Sequence, residues 1–139
     1  GKEKQFLKKL VNDLNLEQNV WFYGPCYTEK QIGELIYNSD LCVSPGHIGL
    51  TAIHSLMYGT PILTHNNFSN QTPEVEIIDE GVNGCFFNEN FEKSLNKSIF
   101  KWLEEHPFKD KILINACYQK VNLYYNPNYQ IKIFKQILQ

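Results

Sequence analysis

Ser39-Asp40-Leu41-Cys42-Val43-Ser44-Pro45-Gly46-His47-Ile48-Gly49-Leu50-Thr51-Ala52-Ile53-His54-Ser55-Leu56-Met57-Tyr58-Gly59-Thr60-Pro61-Ile62-Leu63-Thr64 is the stretch that decides the fold. Leu41-Cys42-Val43 is a short apolar run stopped by Ser44-Pro45-Gly46, which reads as a strand. A helix follows from about Leu50 to Tyr58, with Leu50, Ile53 and Met57 as its core stripe. Gly59-Thr60-Pro61 breaks that helix, and Ile62-Leu63-Thr64 is a second strand. Strand, helix and strand in this order make a βαβ unit and therefore a parallel sheet. The uninterrupted apolar runs are those of strands covered by helices on both faces.

The same alternation continues outward. Upstream, Phe6, Leu7, Leu10, Val11 and Leu14 share one face of a helix over 2–14. Val20-Trp21-Phe22-Tyr23 is β-prone and stopped by Gly24-Pro25, so the spacing predicts a strand there. Thr28 and Gln31 form a capping box for a helix with Ile32, Leu35 and Ile36 on its buried stripe. Downstream, residues 65–74 form a polar loop, 75–80 a short helix or turn closed by Gly81, and Cys85-Phe86-Phe87 a last strand. Helices are expected over 91–105, 109–123 and about 128–138. The fold class is α/β: a Rossmann-like parallel sheet with helices on both faces, in a single domain over 1–139.

Composition narrows the chemistry. All 13 basic residues among the 139 are Lys. A phosphate on this chain must therefore rely on Lys or on backbone N–H groups, with no bidentate Arg clamp. The net charge of −2 and the lack of a basic block argue against a nucleic-acid partner. No apolar run approaches the ~20 residues of a membrane span, and the expectation is a soluble, cytoplasmic chain. Cys26, Cys42, Cys85 and Cys117 are scattered, without a CxxC, and read as reduced, mostly buried thiols. His47, His54 and His65 match no usual zinc spacing, so no metal site and no cofactor are expected.

In an open parallel sheet, ligands bind at the carboxyl ends of the strands. Three segments reach that edge: Gly24 to Tyr27, Ser44 to Leu50, and Thr64 to Glu74. The middle one is a glycine-bearing strand-to-helix turn, which presents free N–H groups at a positive helix terminus and suits a pyrophosphate. Tight geometry alone also explains its glycines. Thr51, His54 and Tyr58 flank the core stripe of the helix, and helical side chains tilt toward the N-terminus, so His54 leans toward that turn. The competing reading of His54 is a partly exposed histidine tied to a neighbour. Glu74 and Glu76 lie on the loop edge, within reach of a ligand or simply solvated.

Four blocks, in order, resemble the group 1 (family 4) glycosyltransferases. Val20 to Gly24 is similar to their V-x-F-x-G strand, and Ser39 to Pro45 to their "AD-apolar-apolar-apolar-PS" strand. Gly49 to Ile62 is similar to GL-x-x-LEAMA-x-G-x-P-V. Pro73-Glu74 with Ile78 to Gly84 is similar to their PE and D/E-G-x-NG block. The resemblance spans about half the chain. It implies the nucleotide-sugar-binding, C-terminal half of a two-domain GT-B enzyme, truncated here and lacking its N-terminal acceptor-binding domain. It implies transfer of a sugar from a nucleoside diphosphate to an acceptor, with retention and without an essential metal, in surface-polysaccharide synthesis. It leaves room for peripheral association of a longer protein with the inner membrane face.

Carried over by position, the resemblance assigns the diphosphate to the amides near Gly49, Leu50 and Thr51. The ribose falls to His54, which stands where the family has the second glutamate of its E-x7-E motif. The base falls to the loop of Gly24, Pro25 and Cys26. The donor sugar falls to Gly46, in place of the first glutamate, and to His47, Ile48 and Glu74. Both motif glutamates are thus replaced. The Arg and Lys that neutralise the diphosphate in the family also have no counterpart, and little turnover is expected from this chain alone. The alternatives are a nucleotide-binding module without catalysis and a GT-B sugar-nucleotide epimerase.

Overall fold

Ile62, Leu63, Thr64 and His65 are all fully buried in the computed structural model of the chain. Successive strand residues point to opposite faces, so both faces of this strand are covered. It is β2 (Ile62–His65), the middle of a three-stranded sheet between β1 (Cys42–Ser44) and β3 (Gly84–Phe87). Both pairings are parallel, with Cys42 opposite Ile62 and Ile62 opposite Gly84. The β2–β3 contact is close enough that a Cβ at position 84 would sit 2.3 Å from the Ile62 carbonyl oxygen, so only Gly is accommodated there.

The described residues also form six α-helices: α1 (Lys4–Asp13), α2 (Glu29–Tyr37), α3 (Thr51–Met57), α4 (Ser94–Glu105), α5 (Lys111–Tyr124) and α6 (Pro127–Ile137). Residues 2–91 and 93–138 are described. Glu92, within the expected helix over 91–105, lies outside them, as do Gly1 and Gln139. The core joins Ile48, Ala52 and Leu56 to Ile62, Ile77, Cys117 and Val121, so α3 is clamped between the sheet and α5. Asn83, fully buried, accepts from Asp79 N–H at 2.8 Å and donates to Ile77 O at 3.1 Å. Its own carbonyl receives Ile62 N–H at 3.1 Å. This one side chain closes the turn that starts β3.

The α/β class and the parallel βαβ order hold, and three expectations need correction. Residues 20–23 form no strand: a strand exists through its ladder, and no described residue pairs with this segment. The capping box does not form. Thr28 is the N-cap of α2 in extended conformation but makes no side-chain cap, and Gln31 instead receives the Cys26 thiol at 3.8 Å. Finally, of the expected α3 stripe only Ile53 packs against the core, and the helix is turned from the other two. Ala52, Ser55 and Leu56 are buried, whereas Leu50 is 69% exposed and Met57 is 38% exposed. Small residues let α3 approach closely, and Ser55 satisfies its hydroxyl on Thr60 O at 2.9 Å. All four cysteines are free, but only Cys117 is fully enclosed.

Candidate functional site

The turn between β1 and α3 is held from the far side of the sheet edge. The hydroxyl of Thr64, near the end of β2, donates to Ser44 O at 2.8 Å. Gln71 is the hub: its Nε2 donates to Thr64 Oγ1 at 2.9 Å and to His65 O at 3.2 Å. Its Oε1 accepts Ile48 N–H at 3.1 Å. Next to it, Thr72 Oγ1 accepts Gly49 N–H at 3.0 Å. Gly49 has φ of +51°, a left-handed conformation that glycine adopts without strain. The 71–72 pair therefore fixes where the first turn of α3 begins.

This arrangement sorts the residues expected at the turn. The Ile48 side chain is in the core at 2% exposure and its N–H is taken by Gln71. The Gly49 N–H is taken by Thr72. The N–H groups of Leu50 and Thr51 have no acceptor among the described residues. Two adjacent donors are thus left open among the described residues at the start of α3, at the carboxyl edge of the sheet. Gly46 is exposed, and so is His47, whose Nε2 lies 3.2 Å from Asn70 Oδ1. Glu74 is half-buried. The Thr72 hydroxyl and the residue's own backbone N–H hold its carboxyl below the ordinary 4.5. Its Oε2 is enclosed and has no partner.

His54 lies on the exposed side of α3, with Nε2 3.7 Å from Glu29 Oε1 at the start of α2. Tyr58, one turn on, donates to the same Glu29 oxygen at 2.5 Å, and this bond is the main reason its hydroxyl pKa is raised. Gly24 and Pro25 are exposed and Cys26 half-buried, in the loop directly before α2. Among the described residues no hydrogen bond joins this loop to residues 49–51; Glu29, at the start of α2, meets His54 and Tyr58 instead.

A second polar cluster stands at the ends of β2 and β3. His65 is fully buried, with neither ring nitrogen hydrogen-bonded; Glu89 Oε1, at 3.9 Å, is too distant. Asn67 donates to Glu89 Oε2 at 2.7 Å. That bond, chiefly, lowers the Glu89 pKa; His65 and His47 add to it. Among the described residues no three His, Cys, Asp or Glu side chains are grouped to hold a metal. A cleft of about 640 Å³ lies elsewhere, lined by Trp21, Tyr23, Gln31, Leu35, Cys42 and Thr60, and contains none of the expected site residues.

Gln71, Thr72 and Glu29 were not singled out from the sequence. Gln71 and Thr72 lie in a loop whose polarity says only that it is exposed, and their partners are 23 positions upstream. Glu29 was hidden by its place inside an apparent capping box.

Comparison with known proteins agrees with this architecture. The chain resembles crystal structures of Anabaena HepE with UDP (TM-score 0.72, 19% identity) and with UDP and glucose (TM-score 0.70, 19% identity). It also resembles the sucrose-phosphate synthase of Thermosynechococcus elongatus (TM-score 0.75, 20% identity). The matches cover 98–99% of this chain but only 35–37% of those chains, so it spans little more than a third of their length. No curated protein matches. The family described as glycosyl transferases group 1 matches residues 1–120. With that match over most of its length, the chain belongs to the group 1 glycosyltransferases.

Proposed function

We propose that this chain is the donor-binding domain of a glycosyltransferase, holding a nucleoside-diphosphate sugar at the carboxyl edge of the sheet. The observation that carries the reading is the turn at Gly46 to Thr51. Its position is fixed by Gln71 and Thr72, and it leaves the Leu50 and Thr51 N–H groups open. Two preoriented amides beside a helix start are suited to a diphosphate, and their dipoles need no reorganisation when negative charge arrives. Ile48 and Gly49 act here as the framework of the turn. His54 lies on the ribose side, and Gly24, Pro25 and Cys26 form the base loop. Gly46, His47 and Glu74 lie on the sugar side. The crystal structures of HepE with UDP, in a like fold, support a nucleotide ligand.

The chemistry is transfer of the glycosyl group with departure of the nucleoside diphosphate. Retention of configuration, independence of metal and a role in surface-polysaccharide synthesis belong to this reading through the family resemblance. The leaving diphosphate gathers negative charge, and this chain has no Arg to meet it. Turnover therefore depends on cations and an acceptor site supplied by a further domain.

Calorimetric titration with UDP, GDP and the two parent nucleosides tests the reading. Binding of one diphosphate with a Kd on the order of 1 mM or tighter, about −4 kcal/mol, is expected, with the nucleoside at least tenfold weaker. Absence of binding by both diphosphates, or equal binding of nucleoside and diphosphate, contradicts it.

A further inference from the structure

The helix residue that the resemblance assigns to the ribose is a histidine, yet a carboxylate stands beside it. Glu29 comes from α2, not α3, and reaches the same exposed surface as His54. Its Oε1 takes the Tyr58 hydroxyl at 2.5 Å and faces His54 Nε2 at 3.7 Å. Its Oε2 has no partner among the described residues, and the side chain is 60% exposed. Tyr58 itself cannot move freely, because its ring lies against Gly33, where an added Cβ would come within 2.6 Å of Cε1. Tyr58, directly after α3, thus holds one oxygen of this α2 carboxylate, His54 of α3 stands 3.7 Å from the same oxygen, and the other oxygen is left open. Glu29 follows directly on the loop that carries Gly24, Pro25 and Cys26.

We infer that Glu29 is the carboxylate that accepts the ribose 2′- and 3′-hydroxyls of the donor nucleotide, with His54 and Tyr58 as its positioning residues. The inference rests on the nucleotide-binding reading above. A vicinal diol offers two O–H donors, and a carboxylate offers acceptor oxygens with charge, which makes such bonds about twice as strong as neutral ones. The neutral form of His54 can add one acceptor or one donor, but it cannot replace that charge. The carboxylate lost from α3 is in this way supplied by the neighbouring helix.

The test compares UDP and GDP with their 2′,3′-dideoxy counterparts, on the unaltered chain and on Glu29→Gln. The Gln retains an oxygen for Tyr58, so the fold stays intact, which an unchanged Tm would verify. For whichever ribonucleotide binds, Glu29→Gln is expected to weaken affinity about tenfold and to leave the dideoxy form unchanged. Equal weakening of both forms would reduce Glu29 to a structural role and overturn the inference, as would no weakening of either. Glu29→Ala must show the same selectivity for the ribonucleotide. If the unaltered chain binds no diphosphate at all, the nucleotide-binding reading itself falls and takes this inference with it.

Discussion

Gln71 shows how one side chain can set a site without touching a ligand. Its amide makes three bonds, to Ile48 N, Thr64 Oγ1 and His65 O, which tie its loop to the β1–α3 turn and to the end of β2. Gln71→Leu keeps the volume and removes every one of them. Leaving buried partners unsatisfied costs about 1–3 kcal/mol each. The variant should therefore lose at least about 2 kcal/mol in urea unfolding and lose diphosphate affinity as the turn loosens. Unchanged stability would mean that the 71–72 segment is not what holds the turn. Acid provides a second test at this scale. Glu89 and Glu74 both have pKa values below the ordinary 4.5. A carboxyl depressed in the folded state adds stability above its unfolded pKa and loses it as pH falls through the folded value. Tm should therefore drop as pH falls below about 4.5, and Glu89→Gln should flatten that drop. An identical pH profile in the variant would remove Glu89 from the account. The positions of His54 and the glycine turn were legible because their spacing along one segment is local. Gln71 and Glu29 were not, because their meaning lies in partners 23 and 25–29 residues distant.

Among the elements, α3 carries most of the consequence. Apolar size alone points to Leu50, Ile53 and Met57 as its inner face, yet the buried residues are Ala52, Ser55 and Leu56, with Ile53 alone of the three packed against the core. The helix is squeezed between β2 and α5, and two small side chains allow that approach while Leu56 fills the remaining space. A Leu→Ala change at a fully enclosed position costs about 2–5 kcal/mol. Leu56→Ala should therefore unfold in much less urea, whereas Leu50→Ala should shift stability by no more than about 0.5 kcal/mol. The opposite order would restore the stripe read from hydrophobicity. Strands β1, β2 and β3 were legible to within one residue at each end, since apolar runs between Gly and Pro leave little choice. Residues 20–23 are equally β-prone and form none, because propensity provides no hydrogen-bond partner. Composition likewise marked Thr28 as the start of α2, but a cap depends on side-chain rotamers that sequence does not determine.

For the whole molecule, the α/β architecture followed from alternation alone, and the family from four short blocks along it. What the alternation does not reveal is how much apolar surface stays uncovered. No residue of α1 or α6 is buried; Phe6, Leu10, Phe134 and Ile137 are all exposed. Amphipathic periodicity identifies such helices correctly but says nothing of what their apolar faces meet. No helix among the described residues is long and apolar enough to cross a membrane. The core, by contrast, is built on β2 and α3, so the open amides stand next to its buried residues Ile48 and Ala52.

If the diphosphate sits on those amides, amide-resolved NMR titration with UDP and GDP at millimolar concentration will locate it there. Saturable shifts centred on Leu50 and Thr51 are expected, with smaller ones at Gly24, Glu29 and His54. Saturable shifts clustered instead around the cleft of Trp21, Leu35 and Cys42, with Leu50 and Thr51 unmoved, would contradict it.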